Sequence, residues 1–167
     1  MSVYFVPREV KHELKQNLST SSCGSGDLSD DKLLLLYNIF GDLVIKALTI
    51  VECGSITIER SKSQHQVFRV ESSSGELNYC SSYTRYCRCF NTMQKYLDPF
   101  YELWCQHTLA IFLAEIMGKT RVVHLNDETF CRSLEALFGG GMCGVNTAVK
   151  MLNEIRNIFK VIFMNCL

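Results

Sequence analysis

The apolar positions of this chain repeat first at helical spacing, then at strand spacing, then at helical spacing again. Val3, Phe5, Val10, Leu14 and Leu18 stand among Arg8, Glu9, Lys11, Glu13 and Lys15, which predicts a short amphipathic helix with Pro7 in its first turn. The run S-T-S-S-C-G-S-G-D at 19–27 reads as a flexible linker. Ser29 or Asp30 caps a second helix, D-D-K-L-L-L-L-Y-N-I-F. Four consecutive leucines exceed one helical face. Such a helix is either buried on two sides within its own fold, the favoured reading, or covered on one side by a partner. Gly41 ends it, and Asp42 opens a third helix with Leu43, Ala47, Leu48 and Val51 on one stripe.

The period then drops to two. Ser55–Arg60 alternates Ile56 and Ile58 with Thr57 and Glu59, a strand expected to be half-buried; Gln66–Val70 and Leu77–Ser81 follow across polar turns, and Tyr83–Phe90 extends the series. Connections this short cannot make parallel crossovers, so the strands form an antiparallel meander. Helical spacing returns over Leu103–Met117, closed by Gly118. After the apolar step Val122-Val123, Asn126 or Asp127 caps a helix to Phe138 that carries Phe130, Leu134 and Leu137. Gly139-Gly140-Gly141 forms a hinge before an amphipathic helix at 145–167. Its only cations are Lys150, Arg156 and Lys160, which favours docking on protein over a membrane surface. The expected fold class is α+β, with N-terminal and C-terminal helices packing a small meander. The expected divisions are 1–27, a core at 28–138, and a hinge with its helix at 139–167.

The chemistry sits where the meander meets the Leu103–Met117 helix. Y-C-R-C-F is followed fifteen residues later by C-Q-H-T-L-A, offering Cys87, Cys89, Cys105 and His107. Three thiolates and an imidazole are the donors of a closed, tetrahedral, structural zinc site. Nine cysteines in 167 residues bring some pairs close by chance, and free cysteine is often plain core, but C-x-C followed by C-x-H is a far rarer coincidence. The ligands are therefore expected to form a knuckle that holds one structural Zn²⁺ at about residues 80–118. Cys80 lies seven residues before Cys87 and is left outside the set; His12, His65 and His124 have no ligand-spaced companions. Tyr96, Phe100, Tyr101 and Trp104, between the two ligand pairs, either pack around the metal or stack bases. Lys95 is nearly the only cation among them, which favours packing.

Composition narrows the classes further. Net charge is zero, so no global basic field draws nucleic acid, although Arg60, Lys62, Arg69, Arg85 and Arg88 can supply a local one. The odd cysteine count, with four spent on metal, points to a reducing compartment, and neither a secretory leader nor a spanning segment is expected. Walker, nucleophile-elbow, H-E-x-x-H and deaminase patterns are missing, and the zinc keeps no open position, so no enzyme is expected.

The quartet, with Ala110 three residues after His107, resembles the SWIM-type zinc finger. A leucine-rich helix ending Phe40-Gly41, then G-S-I-T-I at 54–58, Y-C-R-C, C-Q-H-T-L-A and D-E-T-F together resemble the small SWIM-domain proteins of the Shu complex over about residues 30–137. The resemblance implies a nuclear, non-enzymatic factor with no small-molecule substrate. It implies heterodimerisation with a RecA-like recombinase paralogue, which helps recombinase filaments form on single-stranded DNA in homologous recombination and DNA repair. Any DNA contact of its own is indirect or weak. The final thirty residues depart from that pattern. The alternative is an autonomous nucleic-acid-binding zinc finger.

Overall fold

The protein is described here from a computed structural model, in which residues 4–19, 28–81, 86–90 and 101–138 are placed. The 19–27 linker (save Ser19), the glycine hinge and the 145–167 helix expected from the sequence lie outside the described residues. The described residues form strand β1 (Tyr4–Pro7), helices α1 (Arg8–Ser19), α2 (Asp30–Phe40) and α3 (Asp42–Cys53), and strands β2 (Ser55–Arg60), β3 (Gln66–Glu71) and β4 (Leu77–Ser81). A 3-10 turn at Arg88–Phe90, β5 (Tyr101–Trp104), α4 (Gln106–Met117), β6 (Arg121–His124) and α5 (Asp127–Phe138) complete the order.

The α+β expectation holds, and β2–β3–β4 is the antiparallel meander read from the alternation. The sheet is nonetheless mixed. Its order is β4-β3-β2-β6, and β6, the apolar step Val122-Val123 with its neighbours, pairs parallel to β2. The crossover that a parallel pair requires is supplied by everything between β2 and β6, α4 included.

One face of the sheet carries Ile56, Ile58, Phe68, Val70 and Cys80, which share a core with α3 and α4. From Leu109 to Ala114 every residue of α4 is buried, the signature of a helix wrapped on all sides. Gly54 lets α3 run straight into β2. A Cβ there would sit 2.2 Å from the Glu71 carbonyl oxygen and 2.7 Å from that of Ile50, so no side chain fits. The opposite face was expected to be solvated and is not. Thr57 and Glu59 are buried, and Val67, Tyr86, Phe130 and Leu137 form a second apolar cluster with α5. Arg69 Nε lies 3.2 Å from Glu59 Oε1 and offsets part of the cost of burying this carboxylate, whose Oε2 has no hydrogen-bond partner among the described residues.

The N-terminal segment begins as a strand rather than a helix. β1 pairs antiparallel with β5, Tyr4 opposite Trp104 and Pro7 opposite Tyr101. α1 follows and adds Leu14 and Leu18 to the main core, and Lys11 Nζ sits 5.4 Å over the Trp104 ring. These residues thus belong to the same packed unit as the core. Trp104 packs against Phe40 and Phe112 at ring distances of 5.2 and 5.3 Å, so this aromatic is core and does not stack bases. Tyr96 and Phe100 lie outside the described residues.

The leucine run of α2 departs from its favoured reading. Leu36 and Phe40 are fully buried, but Leu34 is 61% exposed, and Leu35, Tyr37 and, on α3, Ile45 are exposed with it. These side chains have no full cover among the described residues.

Candidate metal centre

Each half of the quartet is placed by local structure. β5 delivers the chain in extended form to Cys105, which is the N-cap of α4. The helix therefore starts after Cys105, three residues later than expected from the apolar spacing. Thr108 N donates to Cys105 Sγ at 3.3 Å, and Cys105 N donates to Thr108 Oγ1 at 2.9 Å, a reciprocal cap built on sulfur. His107 occupies the second helical position and is buried. Ala110 is fully buried one turn beyond His107, as a close approach of the helix to the knuckle requires. On the other side, β4 continues through an antiparallel bridge between Cys80 and Cys87, with Ser81 N donating to the Tyr86 carbonyl at 2.7 Å. The 3-10 turn then brings Cys89 back beside Cys87.

All four expected ligands converge: Sγ of Cys87, Cys89 and Cys105 and one ring nitrogen of His107 lie within 4.8 Å of one another. Cys89 Sγ is 3.1 Å from Cys87 Sγ, too far for a disulfide bond. His107 Nδ1 is 3.6 Å from Cys87 Sγ and 3.9 Å from Cys105 Sγ. A tetrahedral zinc with ordinary Zn–S and Zn–N bonds has donor–donor edges of about 3.6–3.8 Å. The residues thus fit one zinc ion, with Nδ1 facing the sulfurs. When bound, zinc would serve here as a structural cross-link between β4 and α4.

The donor chemistry points the same way. Burial raises the Cys105 thiol, but hydrogen bonds from Cys87, Cys89, His107 and Thr108 outweigh it and hold Cys105 well below the usual thiol range. The α4 N-terminus favours the same thiolate. The hydrogen bond to Cys105, one with a neighbouring thiol and burial push Cys87 and Cys89 far up. Three crowded sulfurs thus carry one negative charge comfortably and resist two more, a conflict a divalent cation removes.

Cys80 is buried next to Cys87 but is not one of the four converging donors. His12, His65 and His124 are exposed and away from the set. The sequence reading passed over Asn78, which is buried against His107 and Cys87. Its signal was available: in L-N-Y-C-S it shares the inward phase with Cys80, where an apolar residue is the norm.

A mouse protein, "Zinc finger SWIM domain-containing protein 7", is 32% identical over 120 residues, covering 72% of this chain and 79% of the relative. The chain belongs to the zinc finger SWIM domain-containing protein 7 family. The zebrafish and human proteins of the same name are each 29% identical over 119 residues, covering 71% of this chain and 85% of the relative. No protein-family model matches the chain, and no solved structure does. The SWIM-type resemblance and the metal geometry agree. This family member carries its zinc-finger quartet on a strand-end knuckle and a helix N-terminus.

Proposed function

We propose that this chain is a non-enzymatic, zinc-stabilised adaptor of a Shu-type complex. It pairs in the nucleus with a RecA-like recombinase paralogue and thereby promotes recombinase filaments in homologous recombination and DNA repair. The observation that carries the adaptor reading is the set of large apolar side chains that α2 and α3 leave exposed: Leu34 at 61%, Tyr37 at 46% and Ile45 at 57%. Leu34, Leu35 and Tyr37 fall within one turn of α2, and exposed apolar side chains grouped in this way mark interaction surfaces. The metal site supports the reading because four protein donors leave zinc no open position for a substrate. Zinc then acts at a distance from those side chains, holding α4 in the core against which α3 packs.

Autonomous nucleic-acid binding has weaker support. Of the candidate cations, Arg69 lies against Glu59, while Lys62 and Arg88 are exposed. The deciding experiment is co-expression with a RecA-like recombinase paralogue from the same genome and co-purification through the paralogue's tag. The intact chain is expected to co-purify. The double substitution Leu34→Glu with Ile45→Glu is expected to abolish co-purification while zinc content and circular dichroism stay unchanged. Failure of the intact chain to pair, with retention on single-stranded DNA that falls steeply with salt, would replace the adaptor by the autonomous binder.

A further inference from the structure

β4 turns Asn78 toward α4, on the sheet face that β2 and β3 fill with Ile56, Ile58, Phe68 and Val70. The side chain is only 8% exposed. A buried amide is costly unless both of its ends are satisfied. Asn78 Nδ2 lies 3.3 Å from His107 Nε2, and its Oδ1 lies 3.9 Å from Cys87 Sγ. One side chain therefore touches a ligand from each half of the quartet.

The protonation states of a metal site fix which end of that amide belongs where. His107 Nδ1 faces the sulfurs, so its lone pair serves the metal and the ring proton resides on Nε2. Nε2–H is then a donor in need of an acceptor, and a metal-bound Cys87 is a thiolate in need of donors. With Nδ2 opposite Nε2–H, two donors would meet, and Oδ1 would face a thiolate. A half-turn of the amide about Cβ–Cγ gives both contacts the right sign, and the hydrogen-bond network decides which way an amide points. We propose that Asn78 is the positioning residue of the zinc site. Its Oδ1 accepts from His107 Nε2–H while its Nδ2 donates to the Cys87 thiolate. A single amide thus sets the imidazole tautomer and orientation and spreads the charge of one sulfur. Gln106 Nε2 also approaches His107 Nε2, at 3.4 Å, but this side chain is half-buried and reaches only one ligand.

The test uses the full chain, with zinc affinity read by competition against a chromophoric chelator and the ligand field read from the absorption of the Co²⁺-loaded protein. Asn78→Ala is expected to weaken zinc binding about 10–100-fold, the usual effect of losing an outer-shell partner, and to alter the Co²⁺ bands at saturation. Val70→Ala trims the buried side chain directly opposite Asn78 on β3, which faces the same core. It is expected to lower thermal stability and to leave the saturated Co²⁺ spectrum unchanged. Gln106→Ala is expected to bind zinc within about two-fold of the unsubstituted chain. Unchanged affinity or unchanged Co²⁺ bands in Asn78→Ala, or a larger loss in Gln106→Ala, overturns the proposal. If Asn78→Ala does not fold, the unsubstituted zinc-loaded protein decides by NMR. A slowly exchanging His107 Nε2 proton with a scalar coupling to the Asn78 side-chain carbonyl carbon supports the assignment, and a rapidly exchanging one refutes it.

Discussion

The two halves of the quartet are held by unlike means. Cys105 and His107 sit at the start of a helix that is buried throughout from Leu109 to Ala114, and Cys105 is fixed by a two-way cap with Thr108. Cys87 is buried where a bridge joins it to Cys80 of β4, and Cys89 sits on the short 3-10 turn that follows, with no longer element to carry the pair among the described residues. Cys89 is half-buried, and Arg88 between the two cysteines is exposed. The main anchor on this side is Tyr86, whose ring stacks on Phe138 of α5 at 5.7 Å. The fold therefore builds one half of the site in advance, and the metal recruits the other half to it. A C-x-C and a C-x-H that look equivalent on paper have different debts to zinc.

Removing the metal tests this asymmetry most severely. Chelation or Cys105→Ser should forfeit much of the zinc contribution, on the order of 10 kcal/mol for finger peptides and less in a domain with its own core. Hydrogen exchange should then show residues 86–90 losing protection while the buried stretch of α4 keeps it. Equal loss in both halves would end the comparison.

Next in size is the aromatic anchor. Tyr86→Ala deletes a buried ring and should cost about 3 kcal/mol in chemical denaturation. It should also weaken zinc binding by loosening only the cysteine pair.

The pH response should change character with metal. Zinc-free, Cys87 and Cys89 are raised from 9.0, so the folded chain keeps protons that the unfolded chain releases, and stability falls as pH climbs past about 9. Cys105 is lowered from 9.0, so its contribution is full above that pH and is lost as pH falls below it. Together the thiols place a stability maximum near pH 9 in the zinc-free chain. With zinc bound, protons compete with the metal, so stability is lost toward acid and is flat through pH 9. Thermal melts of both forms across pH 6–10.5 provide the check.

A smaller effect is expected from Thr108→Val, which removes the hydroxyl half of the α4 cap. It should cost about 1 kcal/mol with or without zinc, because the cap belongs to the preformed half. Arg88→Ala, between the two cysteines but exposed, should stay within about 0.5 kcal/mol of the original chain.

The sequence was most legible where structure is local. Strands Ser55–Arg60 and Leu77–Ser81 begin and end where the sequence placed them, Gly118 ends α4 with φ +67°, and all four ligands converge as their spacing implied. What stayed hidden depends on contacts between distant segments. Tyr4–Pro7 reads as helix because its partner strand, β5, lies among aromatics whose pattern carries no clear period. Arg121–His124 looked like a connector because parallel pairing with β2 leaves no hairpin turn to betray it. Thr57 and Glu59 read as solvated because nothing in their own strand announces the second layer that α5 lays on the sheet. The leucine run of α2 was ambiguous by composition, and only the packed neighbours show which leucines the core takes.

The pairing of β1 with β5 also has a temporal side. Tyr4 leaves the ribosome about a hundred residues ahead of its partner Trp104, which comes just before Cys105 and His107. β1 must therefore wait, unpaired, while β2, β3 and β4 are made. It is expected to find its place at almost the same moment as the last metal ligand emerges. In a growing chain, closing the β1–β5 pair and completing the zinc site are thus set to happen together.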